Sequence, residues 1–252
     1  MNKLSKEYKL MQRLNRRLNQ AIFDYGLLQD GDHVLIGVSG GKDSLSLLEL
    51  LGKRAQIARP KFKVSAAHVV MTNIPYQSDT TYLAHLAEAS NVPFYTASTS
   101  FDTSTDRRKT PCFLCSWNRR KALFDLAKQL GCNKIAFGHH MDDILTTLLL
   151  NMTFQGTIST MPPKLQMDKF EMQIIRPLCL IEEQDLEELA QLRGYKKQVK
   201  NCPHESESNR NVMEQVVRYL ASLSPDAKYS LWSSMSNINT QMLPQKIKQA
   251  RR

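Results

Sequence analysis

The stretch Ile36-Gly37-Val38-Ser39-Gly40-Gly41-Lys42-Asp43-Ser44 constrains this chain more than any other. An apolar run ends in a Ser-Gly-Gly turn and opens at once into the helical pattern of residues 44–51. Such a junction reads as a strand that delivers an anion cradle to the start of a helix. Glycines remove Cβ atoms where backbone N–H groups must approach an anion closely, and the helix offers unpaired N–H groups and the positive end of its dipole. Lys42 adds a mobile positive charge, and the hydroxyls of Ser39 and Ser44 add donors. The string is not a Walker A loop, because only three residues separate Gly37 from Gly41 and Asp43 stands where Ser or Thr is required.

Around this junction, apolar runs alternate with helical patterns. Residues 33–38, 62–71, 92–97 and 133–137 read as strands, residues 44–59 and 80–89 as helices, and residues 161–176 as an irregular hairpin. Helices are further expected over residues 182–192, 209–223 and 227–235. Alternation of this kind predicts an α/β fold with a doubly wound, mostly parallel sheet, and ligands in such sheets sit at the carboxyl ends of strands. The cradle, the segment starting at His68 and the turn Gly138-His139-His140-Met141-Asp142-Asp143 are all expected at strand ends, so they can converge on one nucleotide. The paired carboxylates of Asp142 and Asp143 suit Mg²⁺ held through its waters, or the cap of the next helix.

Leu4, Tyr8, Met11, Leu14, Leu18, Ile22 and Tyr25 recur every three or four residues and predict an N-terminal amphipathic helix. Its other faces carry Lys3, Lys6, Lys9, Arg13, Arg16 and Arg17, either as an RNA-facing surface or as a solvated polar face. The expected organisation is this basic helix over residues 1–28, a nucleotide-binding domain over 29–223 and a helix with a basic tail over 224–252. With 34 Lys and Arg against 24 Asp and Glu, the net charge of +10 points to a polyanionic partner such as RNA. No segment has the length and apolarity of a signal peptide or a membrane span, so a cytoplasmic protein without membrane attachment is expected.

Of five cysteines, Cys132 and Cys179 lie in apolar runs and read as small core residues. Cys112 and Cys115 stand two residues apart at a predicted helix start, and Cys202 stands in the polar loop Asn201-Cys202-Pro203-His204. The CxxC pair admits a redox dithiol, half of a zinc site or part of an iron–sulfur site, and no flanking motif supports the redox reading. Zinc completed by His204 asks two ligands two residues apart to reach one ion, whereas a four-iron cluster on three cysteines leaves one iron open. Arg107, Arg108 and Lys109 precede the pair and Arg119, Arg120 and Lys121 follow it, where an RNA strand would enter. Phe113 and Trp117 are read as core residues first and as base-stacking candidates second.

The string Ser39-Gly40-Gly41-Lys42-Asp43-Ser44 is identical to the pyrophosphate loop, or PP-loop, of the ATP pyrophosphatases. Together with Pro111-Cys112-x-x-Cys115, Gly138-His139-His140-x-Asp142-Asp143, Met161-Pro162-Pro163-Lys164-Leu165, Ile175-Arg176-Pro177-Leu178 and Cys202, it resembles the tRNA 2-thiocytidine synthetase family. The resemblance implies an adenine nucleotide alpha-hydrolase fold and an enzyme that uses ATP to adenylate the C2 oxygen of an anticodon-loop cytidine in tRNA and replaces it with sulfur. It implies ATP bound by Ser39, Gly40, Gly41, Lys42, Asp43, Ser44, His68, Gly138 and His139. Lys42, Asp43, Asp142 and Asp143 take the catalytic roles, with Mg²⁺ on Asp43 or Asp143. Carried over by position, Cys112, Cys115 and Cys202 hold a [4Fe-4S] cluster. A cysteine desulfurase is the implied sulfur source, and a homodimer is allowed for. Pro203-His204-Glu205-Ser206 stands where the family often has Gly-Ser-Gln, which leaves uridine thiolation open as an alternative. Other rivals are an RNA-adenylating enzyme that attacks with an amine and a zinc-stabilised RNA-binding module without catalysis.

Overall fold

The computed structural model describes residues 3–57, 59–74, 78–102, 104, 110–167, 172–196 and 209–244. Among them one sheet has six strands in the order β3-β2-β1-β4-β6-β5. These are β1 (His33–Gly37), β2 (Lys63–Met71), β3 (Phe94–Thr99), β4 (Lys134–Ala136), β5 (Lys164–Gln166) and β6 (Gln173–Ile175). All pairings are parallel except that of β5 with β6, the hairpin at one edge. The helices are α1 (Lys3–Asp24), α2 (Lys42–Ala55), α3 (Thr80–Ala89), α4 (Pro111–Gln129), α5 (Met141–Leu150), α6 (Glu183–Arg193), α7 (Asn209–Leu223) and α8 (Ala227–Ser234).

The central strand explains the layering. Val34, Leu35 and Ile36 are all fully buried, as an apolar run must be when both faces of a sheet are covered. Val34 and Ile36 join the larger core with leucines of α1, α2, α5 and α6, while Leu35 joins Ala67, Ile135 and Ile174 under Leu123, Phe124 and Ala127 of α4. The doubly wound sheet expected from the sequence is therefore present, with α4 on one face and most other helices opposite. Cys132 and Cys179 are buried in these two cores, and burial raises the pKa of both thiols, Cys132 to about 11 and Cys179 to about 12.

The buried stripe of α1 follows the one read in sequence through Met11, Leu14, Leu18, Ile22 and Tyr25 and departs from it at Tyr8. Leu10, Leu14, Leu18, Ala21 and Ile22 are buried, whereas Tyr8 is 64% exposed. Periods of three and four admit two adjacent stripes, and the face that meets α6 decides between them. Several basic residues of α1 are spent on that contact. The Arg13 guanidinium donates to Asp185 at 2.6 and 3.0 Å, and Lys6 Nζ lies 3.0 Å from Glu188. Arg193 of α6 reaches back to Glu7 at 2.6 Å and grips Glu49 of α2 through two bonds of 3.0 Å. Tyr195 Oη donates to the same Glu49 at 2.8 Å and Lys53 Nζ at 2.5 Å. Burial acts against the charge of Glu49, but Lys53, Tyr195 and Arg193 outweigh it and hold its pKa below the usual carboxylate range.

Two of the sequence motifs pack on one another at the edge hairpin. The Arg176 guanidinium donates to Pro162 O at 2.5 Å and its backbone N–H donates to Pro163 O at 2.8 Å. Burial lowers the Arg176 pKa to about 10. Prolines cannot donate to a ladder, and here their carbonyls are used to fix the turn into β5.

Candidate active site

The site forms where the strand order reverses. β1 has β2 on one side and β4 on the other, with Gly37 level with Ala67 and Ile36 level with Ala136. Parallel register brings the turns that leave β1 and β4 side by side. Gly138 closes the gap: a Cβ there would lie 2.9 Å from the carbonyl carbon and oxygen of Asp43 and 3.0 Å from Ser44 N. No side chain fits against that backbone, so the sequence needs glycine at this position.

Within the first turn Gly40 takes φ +84°, the left-handed region that glycine enters without strain. Gly41 is extended at φ −78° and caps α2. The serine hydroxyls, read from sequence as donors to a ligand, shape the loop itself. Ser39 N–H donates to Ser44 Oγ at 3.1 Å, Ser44 Oγ donates to Gly41 O at 2.9 Å and Gly41 N–H donates to Ser39 Oγ at 3.3 Å.

A cavity of about 200 Å³ lies over this loop, lined by Lys42, Asp43, His140, Asp143, Glu183 and Arg210 among others. Lys42 Nζ stands 3.1 Å from Asp43 Oδ1 and 3.2 Å from Glu183 Oε1. Burial disfavours the ammonium, but the two carboxylates outweigh it and raise the Lys42 pKa. Glu183 shows the reciprocal effect: burial disfavours its charge, Lys42 more than compensates, and its pKa falls. Arg218 of α7 donates to the other Glu183 oxygen at 3.3 Å.

The three aspartates have distinct duties. Asp142 accepts from Glu183 N–H at 2.8 Å, capping α6, and pairs with Lys228 Nζ at 2.6 Å. Asp143 accepts from His140 N–H at 3.1 Å, which caps α5, and pairs with Arg210 of α7. Asp43 is committed to neither a cap nor an arginine among the described residues and is the most exposed of the three, its side chain 32% accessible against 11% and 19%. His139 packs edge-on against Phe137, ring centroids 5.8 Å apart, and burial lowers its pKa to about 4. Glu183, Arg210, Arg218 and Lys228 were not singled out in the sequence, since isolated charges on helices far along the chain carry no spacing signal.

A second, more open cavity of about 150 Å³ adjoins the other side of the turn, between Gly37, Val38, His68, Arg119, Leu123 and Phe137. His68 lies inside β2 instead of beyond its end, and its ring reaches across to β1. Nδ1 donates to Val38 O at 2.7 Å, and burial lowers the pKa, so the ring is neutral.

Helix α4 connects this cavity to the cysteines. Thr110 caps it by accepting from Phe113 N–H at 3.3 Å, and Pro111 occupies the first turn. Cys112 is exposed and Cys115 half-buried, three residues apart on one helix face in the first turns of α4. Cys202, His204 and the basic run Arg107, Arg108 and Lys109 lie outside the described residues. Phe113 and Trp117, expected in the core, are instead 43% and 50% exposed. The buried residues of α4 are Leu114, Leu123, Phe124 and Ala127; the 113 and 117 positions share the face of Phe124 but fall in the first half of the helix, where Leu114 alone is buried.

Fold and site together define a PP-loop domain, and the family described as the PP-loop domain matches residues 10–219. Among curated proteins, the tRNA-cytidine(32) 2-sulfurtransferase of Syntrophotalea carbinolica is 34% identical over 242 residues, covering 94% of this chain and 93% of that protein. The protein of the same name from Acinetobacter baylyi is 33% identical, covering 94% of this chain and 79% of its own length. The one from Paraburkholderia xenovorans is 36% identical, with 91% and 69% covered. A solved structure of the U34-tRNA thiolase NcsA from Methanococcus maripaludis with its [4Fe-4S] cluster has the same fold, with a TM-score of 0.73 at 23% identity, covering 95% of this chain and 81% of that one. The chain belongs to the tRNA 2-thiocytidine synthetase family within the PP-loop superfamily, and that membership makes it a sulfur-transferring enzyme.

Proposed function

We propose that this chain is an ATP-dependent tRNA sulfurtransferase that activates the C2 oxygen of an anticodon-loop cytidine by adenylation and replaces that oxygen with sulfur. The observation that carries the reading is the meeting of the pyrophosphate loop with the Gly138 turn beside a helix that bears Cys112 and Cys115. The names of the 33–36% identical relatives support the cytidine over a uridine. No helix among the described residues is long and apolar enough to cross a membrane, in keeping with a cytoplasmic tRNA enzyme.

An amide-like C2–O is a poor leaving group. Attack of that oxygen on the α-phosphorus of ATP forms the adenylate and expels pyrophosphate, and a sulfur nucleophile at C2 then expels AMP. Lys42 stabilises charge on the phosphates, in place of its present pairing with Glu183. The N–H groups at the start of α2 face the same anion. Asp43, the least committed carboxylate, fits a magnesium ion that screens the phosphates, while Asp142 and Asp143 position α6 and α7. His68, neutral and tied to Val38, closes the floor of the second cavity, which takes the nucleoside part of ATP.

Cys112 and Cys115 fit a cluster because two sulfurs one helical turn apart can meet one metal centre. Cys202 is the third ligand in this reading. Bound by Cys112, Cys115 and Cys202, the cluster would supply sulfur-binding chemistry beside the activated nucleoside. A cysteine desulfurase would supply the sulfur as a persulfide, with a separate two-electron reductant bringing it to the sulfide level. The test is anaerobic purification with iron and sulfide analysis, paired with mass spectrometry of nucleosides from tRNA treated with ATP and sulfide. Iron and sulfide lost in Cys202→Ala, together with 2-thiocytidine made only by the wild type, is the expected result. Stoichiometric zinc without iron, or full thiolation by Cys202→Ala, overturns the cluster.

A further inference from the structure

The structure assigns Phe113 and Trp117 of α4 to a task that neither the core nor the pyrophosphate loop uses. They stand four residues apart, hence on one helix face, and remain 43% and 50% exposed. Burying a ring of this size is worth about 1.5–3 kcal/mol, so the exposed part of each is apolar surface that the fold leaves accessible. Turning round the helix from them, Arg119, Arg120 and Leu123 line the cavity at the ends of β1 and β2. Within two turns α4 therefore passes from the cysteines to the nucleotide cavity, with the aromatic face adjoining it.

The charge around that face selects its occupant. Helix α4 carries Arg119, Arg120, Lys121 and Lys128 against the single acid Asp125. Lys121 Nζ lies 5.8 Å from the Trp117 ring centroid, which leaves the flat aromatic surface beside a cation. An apolar protein partner would be poorly served by such a rim, whereas a single-stranded RNA presents flat bases and phosphates in alternation. We propose that Phe113 and Trp117 form a stacking platform for an unpaired RNA base that flanks the nucleoside being modified, with Lys121 on an adjoining phosphate. The proposal rests on the tRNA sulfurtransferase reading and adds to it how the loop is held.

The full chain carries two tryptophans, and the second, Trp232, donates to Tyr25 Oη at 2.9 Å. Quenching of Trp117 emission can thus be isolated by difference with a Trp117→Leu variant. The probes are an RNA stem-loop, the same stem with an abasic loop, and a fully paired duplex. The stem-loop is expected to quench Trp117 and to bind Trp117→Leu roughly 5- to 150-fold more weakly, while the abasic loop binds both forms equally. Trp117→Phe, which keeps a ring, is expected to retain most of the affinity and guards against a folding defect. Equal stem-loop binding by wild type and Trp117→Leu overturns the platform. So does a sedimentation shift from dimer to monomer in Trp117→Leu, which would assign the face to a second copy of the chain. If the platform fails while wild type still thiolates tRNA, the functional reading stands. If wild type neither binds the stem-loop nor thiolates tRNA, both fall.

Discussion

Gly138 and Gly41 make opposite predictions although both belong to glycine-rich turns at the same site. In Gly138→Ala the new Cβ falls 2.9 Å from the Asp43 carbonyl and 3.0 Å from Ser44 N, about half an ångström inside ordinary contact, and neither neighbour is a side chain that can swing away. The backbone of the pyrophosphate loop must move, at an overpacking cost of about 1–3 kcal/mol. For a chain of this length each kcal/mol lowers Tm by about 2–4 °C. Gly41→Ala meets only Ser39 Oγ at 3.5 Å and keeps a φ of −78° that alanine adopts freely, so its stability stays within about 0.5 kcal/mol of wild type. Its methyl nevertheless occupies the approach to the α2 N–H groups, and ATP affinity measured by calorimetry is expected to fall. The pair separates stability from ligand approach. A Gly138→Ala protein with unchanged Tm and ATP affinity would refute the inference that the β4 turn is braced on the pyrophosphate loop. A Gly41→Ala protein that binds ATP as wild type would refute the inference that phosphates lie against that backbone.

Other expectations follow from the ion pairs. Glu49→Gln is expected to lose about 1–2 kcal/mol at neutral pH in urea unfolding, because Lys53 loses its partner carboxylate and Arg193 is left with Glu7 alone. The pKa of Glu49 is depressed in the fold, so its contribution is fully present above the unfolded carboxylate value and disappears as pH falls through the folded one; the two proteins should therefore converge in acid, and a constant gap would contradict the assignment. Asp142→Ala is expected to cost about 2 kcal/mol, since it uncaps α6 and leaves half-buried Lys228 with Glu182 as its one partner, and Lys228→Met in the same background should recover part of the loss in thermal unfolding. Glu183→Gln removes the carboxylate that competes with phosphate for Lys42, so ATP should bind several-fold more tightly by calorimetry, and weaker binding would instead make Glu183 part of the ligand site.

Much of this architecture could be read from local pattern. The bounds of α3 and α7 and the central strand follow directly from apolar spacing, and the glycine-rich junction located the nucleotide loop before any coordinate did. Both buried cysteines were legible from their apolar neighbours. Failures came where a choice depends on distant chain. The α1 stripe was read correctly at Met11, Leu14, Leu18, Ile22 and Tyr25 and missed at one end, because only contact with α6 tells Leu10 from Tyr8. Phe113 and Trp117 share a helical spacing with core aromatics, and exposure has no local signature. Glu183 meets Lys42 across 141 positions, and no short-range pattern can announce that pair.

The contact of α1 with α6 also sets an order on synthesis. Glu7, Arg13 and the leucine stripe of α1 are made well before Asp185, Glu188 and Arg193, which satisfy them and emerge some 170 residues later. At roughly 5–20 residues per second the ribosome needs about 9–34 s to supply them. Throughout that interval the nascent chain displays a basic, leucine-rich helix with nowhere to dock, and chaperones that hold such segments should act on this protein early. A chain interrupted before residue 185 would keep its pyrophosphate loop and lose the clasp that closes the molecule.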